Sequence, residues 1–337
     1  MTNRIQVGII GAGHMGTRHA ACWNRLPGAA LVAVADVVRE KAERLAGERA
    51  AVYESAEALL TDPNVQAVSI CVPTHLHRTV AEAAAKAGKH ILCEKPMALT
   101  SEDCAAMTEA ARAAGVVLTV GHVVRFFPEY ANAKRLVESG AVGKPAAVRT
   151  RRGGGFPRPE SDWYGDVSRS GGVILDLMVH DLDWLQWCFG PIKRVYAQGL
   201  TERLADGSLD HMDYALLTLR HESGVISHVE GTWSDPAGFA TTFEIAGDGG
   251  LLSHDSRRAR SLQVSLRGVE TKQESVVTPS SPLAEGDEPY FREIAAFAKS
   301  VTEGAPPAVT PEEASSAVAV AVAARESLRT GDAVEIG

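Results

Sequence analysis

The sequence predicts a two-domain α/β protein, with a parallel sheet covered on both faces followed by a domain built on an antiparallel sheet. Three observations predict this. Roughly the first 120 residues alternate short aliphatic runs with amphipathic stretches, the rhythm of β-α-β units. Those runs are apolar throughout rather than alternating, as strands buried on both faces must be. From Ile192 to about Ser275 the text changes to strand-like runs joined by short polar turns, which is antiparallel patterning.

The elements follow in order. Residues 4–10 read as a strand that runs into Gly11-Ala12-Gly13-His14-Met15-Gly16. A helical stretch covers 17–25, and a second strand over 30–35 stops at Asp36. Strand, glycine turn, helix, strand and acid form the context that a G-x-G-x-x-G match requires, with the acid about twenty residues past the last glycine. Gly11 permits the tight turn, Gly13 lets the backbone approach a pyrophosphate, and Gly16 lets helix and strand lie close. The helix N-terminus, with His14 and Met15 in the turn, offers free N–H groups to the anion. Asp36 suits a ribose diol and repels a 2′-phosphate, so the cofactor expected is NAD. Arg39 could turn towards such a phosphate, which keeps NADP as the alternative.

Amphipathic residues 39–47 and a short helix over 54–60, with Ser55 as cap, come next, and Asp62-Pro63 marks a turn. Strands at 65–72, 89–93 and 116–120 alternate with helices at 79–87 and 101–114. Gly88 and Gly115 stop those helices, and Glu102 and Asp103 sit in the first turn of the second. Cys71, Pro73, Thr74 and His77 follow one strand end, and Glu94-Lys95-Pro96 follows the next. In an open α/β sheet ligands sit at that edge, so these residues join the glycine turn and Asp36 as candidates for the cofactor site.

The character changes past His122. Helix 127–139 and strand 146–152 lead to a turn-rich loop, Gly153-Gly154-Gly155-Phe156-Pro157-Arg158-Pro159, with Trp163 and Tyr164 beyond it. Gly171-Gly172 precedes a single strong helix over 173–189. Strands are expected at 194–200, 213–221, 225–232, 241–246 and 262–266, with turns at Glu222-Ser223-Gly224 and Gly247-Asp248-Gly249-Gly250. Taken literally, the alternation leaves one face of this sheet open, most simply covered by another subunit. Helices at 289–300 and 311–328 and a strand at 333–336 complete the chain.

Bulk properties bound the rest. The 337 residues suit two domains, and 45% hydrophobic with 23% charged residues describes a globular protein. A net charge of −8 argues against nucleic acid. No apolar run is long enough to span a bilayer, and Met1-Thr2-Asn3-Arg4 leaves no room for a signal peptide, so a cytoplasmic protein is expected. Five cysteines without a C-x-x-C fit reduced thiols.

Chemistry concentrates at two places. Lys95 puts a permanent cation at the ligand edge, able to hydrogen-bond a substrate hydroxyl and favour its alkoxide. On the expected long helix, Asp176 and His180 lie four apart and Asp183 three further on. A satisfied core pair, a divalent metal site and an acid–base pair all suit that spacing. His122 and Arg125 leave the last strand at its ligand edge, where they would border a pocket, and Trp163 could stack on a sugar ring or plug a core. Arg149, Arg151 and Arg152 suggest an acidic substituent or, equally, a solvated strand edge.

The glycine motif, Glu94-Lys95-Pro96 and the spacing Gly171-Gly172-x-x-x-Asp176-x-x-x-His180-x-x-Asp183 together resemble the Gfo/Idh/MocA family of sugar and cyclitol oxidoreductases. Pro73-x-x-x-His77 and Gly121-His122-x-x-Arg125-Phe126-x-Pro128 resemble further family segments, so the likeness runs the length of the chain. It implies a Rossmann dinucleotide-binding domain over 1–122 and an α+β domain over 123–337 with an open, mostly antiparallel sheet. The second domain would bind substrate and associate dimers or tetramers through that sheet, with helix 311–328 packing back on the first. The resemblance also implies Lys95, Asp176 and His180 as the catalytic set, no metal, and a cis Lys95–Pro96 bond. The activity implied is hydride transfer between a ring alcohol of a cyclitol, sugar or sugar derivative and nicotinamide. Alternatives are a keto-sugar or imine reductase with tightly held NADP, and a nicotinamide-sensing protein without turnover.

Overall fold

The computed structural model describes residues 4–157, 163–201, 212–258, 262–266 and 288–337. Arg158 and Pro159 of the expected loop, and the strand-like text between Leu266 and Ser275, lie outside them. The chain forms two units, Met1–Val123 with Asp287–Ser315, and Val124–Gly286 with Ser316–Gly337.

In the first unit β1 (Ile5–Ile10), α1 (His14–Arg25), β2 (Ala29–Ala35), α2 (Arg39–Ala46), β3 (Ala51–Tyr53), α3 (Ala56–Leu60) and β4 (Ala67–Ile70) come first. A single 3₁₀ turn (Thr74–Leu76) precedes α4 (His77–Lys86), β5 (His90–Cys93), α5 (Ser101–Ala114) and β6 (Leu118–Val120). The six strands are parallel in the order β3-β2-β1-β4-β5-β6, so the order reverses between β1 and β4. Ser55 caps α3 as expected, its hydroxyl accepting from the Ala58 N–H at 3.2 Å. α5 is capped by Thr100, whose hydroxyl accepts from the Asp103 N–H at 3.1 Å. β3 is a short edge strand with too few residues to show a pattern.

Two late segments sort differently from the sequence-based division at 122. The piece that rejoins the first unit is 287–315, while most of the last helix belongs to the second. The reason is packing. Ile294, Phe297 and Ala298 share one buried cluster with Ala20, Cys22 and Trp23 of α1, with the Trp23 and Phe297 rings edge-on at 6.1 Å. The Thr119 hydroxyl also donates to the Val309 carbonyl at 2.7 Å.

In the second unit a 3₁₀ turn (Val123–Phe126) leads to α6 (Pro128–Glu138), β7 (Pro145–Gly153), α7 (Val167–Ser170), α8 (Gly172–Asp176) and α9 (Val179–Phe189). Then follow β8 (Ile192–Thr201), β9 (Met212–His221), β10 (Ile226–Thr232), β11 (Ala240–Gly247), β12 (Gly250–Asp255) and β13 (Leu262–Leu266). The helix α10 (Glu288–Glu303) is the one on the first unit; α11 (Pro311–Thr330) and β14 (Val334–Glu335) close the chain. The eight strands run β13-β12-β11-β7-β10-β9-β8-β14, antiparallel except for the central β10–β7 pair. That parallel pair is why the sheet is mostly rather than wholly antiparallel.

Along β9, Ala215, Leu217 and Leu219 point into the core with Val173, Ile174 and Leu182. Leu216, Thr218 and Arg220 point the other way. This outer face carries Tyr196, Gln198, Leu216, His228, Arg149 and Glu244 around an open concavity of about 700 Å³.

The single helix expected over 173–189 is two helices. The N–H groups of Leu177 and Met178 both reach the Val173 carbonyl at 3.0 Å, so the turn widens by one residue. Neither Pro nor Gly marks the spot. Met178 instead seats where Gly231 of β10 has no side chain; a Cβ there would stand 2.3 Å from Met178 Cγ.

Candidate functional site

Sheet register builds the first half of the site. Ala35, Ile10, Ile70, Cys93 and Val120 are paired side by side across β2, β1, β4, β5 and β6. The residues that follow them, Asp36, Gly11, Cys71, Glu94 and Gly121, therefore line one carboxyl edge, as the sequence reading required. Each backbone bond at this edge is made to the neighbouring strand, with Gly11 N–H to Ala35, Cys71 N–H to Ile10 and Glu94 N–H to Ile70.

The glycine turn fits a dinucleotide. Gly11 has φ +98°, and a Cβ on it would stand 2.5 Å from the Cys71 carbonyl oxygen. At Gly16 a Cβ would meet the Gly11 carbonyl oxygen at 1.9 Å. Gly13 differs: a Cβ there meets nothing within 4 Å, so open space fronts its backbone. Gly13 also caps α1 without any side-chain hydrogen bond, which leaves the first N–H groups of the helix for an anion. His14 and Met15 form the start of that helix, His14 exposed and Met15 half-buried.

Asp36 spans the turn. Its carboxylate accepts from the Ala12 N–H at 2.7 Å and from the Val38 N–H at 2.8 Å, one bond to each oxygen. Each oxygen keeps lone-pair capacity for a ribose hydroxyl. Arg39 is spoken for by Glu43 at 2.7 Å and Glu54 at 2.8 Å. With two carboxylates on its guanidinium, it does not stand as a bare cation for a 2′-phosphate, and this favours NAD over NADP.

Beyond β4, Pro73 precedes the 3₁₀ turn in which Thr74 is buried. His77 is 1% exposed, with Nδ1 at 2.9 Å from the Pro96 carbonyl oxygen and Nε2 at 3.0 Å from that of Val72. Burial lowers its pKa, and a neutral imidazole has one N–H, so it donates to one of these carbonyls at a time. The sequence reading placed His77 among cofactor contacts; with both nitrogens turned to backbone, it supports the turn instead.

Glu94 is buried. One oxygen lies 2.9 Å from His19 Nε2 and the other accepts the Lys95 backbone N–H at 3.1 Å. Burial alone would lower the pKa of His19, but Cys71 and Glu94 beside it raise it to about 10. Burial likewise opposes ionisation of Glu94, yet the His19 hydrogen bond and charge hold its carboxyl below the usual value. Lys95 is half-buried and its bond to Pro96 is cis. His19 escaped the sequence reading because a histidine on the inner face of a helix gives no signal of what it meets.

The second unit supplies the other candidates. Asp176, 6% exposed, ends α8, and His180 is the second residue of α9, partly exposed. The widened turn lies between them, so ideal helical spacing does not set their relation. Their neighbours Asp181 and Asp183 are fully committed. Asp183 takes Arg125 in a two-bond grip at 2.6 and 2.8 Å, and Asp181 takes Arg152 at 2.7 Å. All four side chains are at most 5% exposed.

Arg125, expected at the pocket wall, thus anchors α9. Arg149 and Arg151 also pair, with Glu244 and with Glu230 and Asp235, so all three arginines of the interior strand β7 are held in ion pairs rather than in an anion cradle. Trp163 stacks on Tyr164 at 3.9 Å, which spends one ring face on packing. His122, after β6, is fully buried. Among the described residues no group of His, Cys, Asp or Glu is arranged to hold a metal ion, and no helix is long and apolar enough to cross a membrane.

Comparison with known proteins agrees with this geometry. A family model described as the oxidoreductase family with an NAD-binding Rossmann fold matches residues 5–122, and one for the GFO/IDH/MocA C-terminal domain matches 130–253. The chain is 32% identical to myo-inositol 2-dehydrogenase of Thermotoga maritima, covering 98% of each chain. It is also 32% identical to 1,5-anhydro-D-fructose reductase of Ensifer adhaerens, over 84% of this chain and 83% of that one. A solved structure of levoglucosan dehydrogenase with NADH and levoglucosan superposes with a TM-score of 0.88, 26% identity and 99% coverage of both chains. Glycine turn, acid, Glu94-Lys95-Pro96 and two matched domains lead to one assignment: the chain belongs to the Gfo/Idh/MocA family of NAD-binding oxidoreductases.

Proposed function

We propose that this protein oxidises a ring secondary alcohol of a cyclitol, sugar or sugar derivative, with NAD as the hydride acceptor. The observation that carries the reading is the strand register that sets Glu94-Lys95-Pro96 in one row with the glycine turn and Asp36. A fixed cation at a nucleotide-binding edge has a direct use in alcohol chemistry.

When bound, nicotinamide supplies the electrophilic carbon for the hydride. The residues of the chain handle the proton. The Lys95 ammonium hydrogen-bonds the hydroxyl oxygen and favours its alkoxide. The His180 imidazole takes the hydroxyl proton. Asp176 orients that imidazole or grips a neighbouring hydroxyl. Asp36 holds the adenosine ribose, and the N-terminus of α1 holds the pyrophosphate. The likeness to an anhydro-fructose reductase favours one second reading, the same groups working in reverse to protonate the oxygen of a keto-sugar.

The test is a screen of inositols, hexoses, uronic acids and anhydro-sugars with NAD⁺ and NADP⁺, following absorbance of the reduced cofactor. Turnover of at least one cyclic polyol, faster with NAD⁺, is expected. Turnover of no cyclic polyol or keto-sugar in either direction would leave a cofactor-binding protein without this activity.

The outer face of the second unit's sheet is proposed as the contact with a second copy. Leu216 there is 53% exposed, on the same face as Tyr196 and Ile226 and amid the Arg149–Glu244 and Arg151–Glu230 pairs. Leu216→Arg is expected to shift a dimer or tetramer to a smaller species in light scattering, whereas an unchanged mass would place the contact elsewhere. The five cysteines, none in a disulfide and three of them buried, suit the cytoplasm proposed as its location.

A further inference from the structure

Two buried histidines that the proposed chemistry does not use stand on either side of Lys95. His19 comes from α1, the helix whose N-terminus carries Gly13, and it is fully buried. Its Nε2 meets one oxygen of Glu94 at 2.9 Å, and the other oxygen accepts the N–H of Lys95 at 3.1 Å. Gly121 backs the same carboxylate, where a Cβ would stand 3.4 Å from Glu94 Cδ. On the far side His77, the first residue of α4, has Nδ1 at 2.9 Å from the Pro96 carbonyl oxygen. Its Nε2 lies 3.0 Å from the carbonyl oxygen of Val72, two residues past the end of the neighbouring strand β4, and the single ring N–H serves one of the two carbonyls.

The chain is thus held just before and just after Lys95, from two different helices. Burying an imidazole and a carboxylate is costly unless they are paired, and apolar side chains would fill the same space without that penalty. What a hydrogen-bonded pair adds is direction. A lysine carries its ammonium on a flexible four-carbon stem, so where the ammonium dwells depends on how firmly the backbone beneath it is set. An error of about 1 Å in placing a reacting group can lower a rate about a hundredfold.

We propose that His19 and His77 are positioning residues for Lys95, fixing the Glu94-Lys95-Pro96 turn so that the ammonium meets the substrate oxygen in one place. This rests on the reading of Lys95 as the group that polarises that oxygen. His19 sits on the helix whose N-terminus is assigned to the pyrophosphate, so cofactor site and lysine share one rigid support.

Two measurements on the full-length protein test it, one of them independent of turnover. Hydrogen exchange followed by mass spectrometry over residues 92–98 reports whether the Lys95 amide is held. In His19→Ala and His77→Ala we expect exchange there to quicken by about tenfold or more, with β1 and β4 unchanged. On the substrate found by the screen, kcat is expected to fall about 10- to 100-fold while KM and the Kd for NADH stay within about twofold. His19→Gln and His77→Asn, which retain a donor, should recover most of kcat and the slow exchange.

Unchanged exchange over the turn in both alanine variants overturns the proposal, as does a kcat within about twofold of the parent while Lys95→Met is inactive. If an alanine variant does not fold, its amide counterpart decides. Normal exchange with a kcat still depressed about tenfold shows that the hydrogen bond is not what matters. A parent protein without turnover sinks the functional reading and not the clamp, which the exchange experiment then decides alone.

Discussion

Lys95→Met is expected to lower kcat about 1,000-fold on a substrate found by the screen, a loss of about 4 kcal/mol of transition-state stabilisation. Methionine keeps the length and the apolar stem of the lysine and removes only the ammonium. The backbone bond from residue 95 to Glu94 does not depend on that side chain, so the turn should persist. NADH binding, followed by its fluorescence, is expected to stay within about twofold, because the glycine turn and Asp36 are unaltered. A variant that retains more than about a tenth of the parent kcat would remove Lys95 from the chemistry. Loss of NADH binding instead would make it a cofactor anchor.

Asp183→Ala should be the most damaging change to stability in the second unit. Asp183 grips the Arg125 guanidinium with two bonds, and both side chains are buried to within 4% of full enclosure. Without the carboxylate, a buried cation loses its bidentate partner, which costs about 3–5 kcal/mol. For a unit of this size that lowers Tm by about 10 °C. The double variant Arg125→Met/Asp183→Leu removes both charges and fills the space, and it is expected to regain most of the loss. Calorimetry of the single and double variants checks this. A single variant as stable as the parent would mean that the pair adds nothing to the fold, and an equally unstable double variant would put the effect in packing rather than charge.

Much of the site was legible from the chain itself. Gly11, Gly13 and Gly16 with Asp36 at the right distance announced a dinucleotide, because each glycine answers a local steric demand that the text displays. Lys95 stood out because its strand was apolar and its position at the strand end followed from alternation. The arginines were less readable. Arg125 looked like a pocket wall and Arg152 like either an anion contact or a solvated strand edge, yet they neutralise Asp183 and Asp181, and nothing local distinguishes an arginine awaiting a ligand from one already paired. His77 was read as a cofactor contact, and its ring faces two backbone carbonyls.

By itself the sequence determined the parallel sheet, its alternation of strands and helices and which strand ends form its carboxyl edge. These depend on period, on glycine sterics and on strand ends, all of which act within a few residues. Only the tertiary structure decided where α10 packs, how the helix over 173–189 breaks at Leu177 and Met178, and which cations are already paired. Those outcomes turn on residues far apart in the chain: Phe297 finding Trp23, Met178 finding the gap at Gly231, His19 finding Glu94. A linear pattern records what a residue can do, and only the fold settles what it meets.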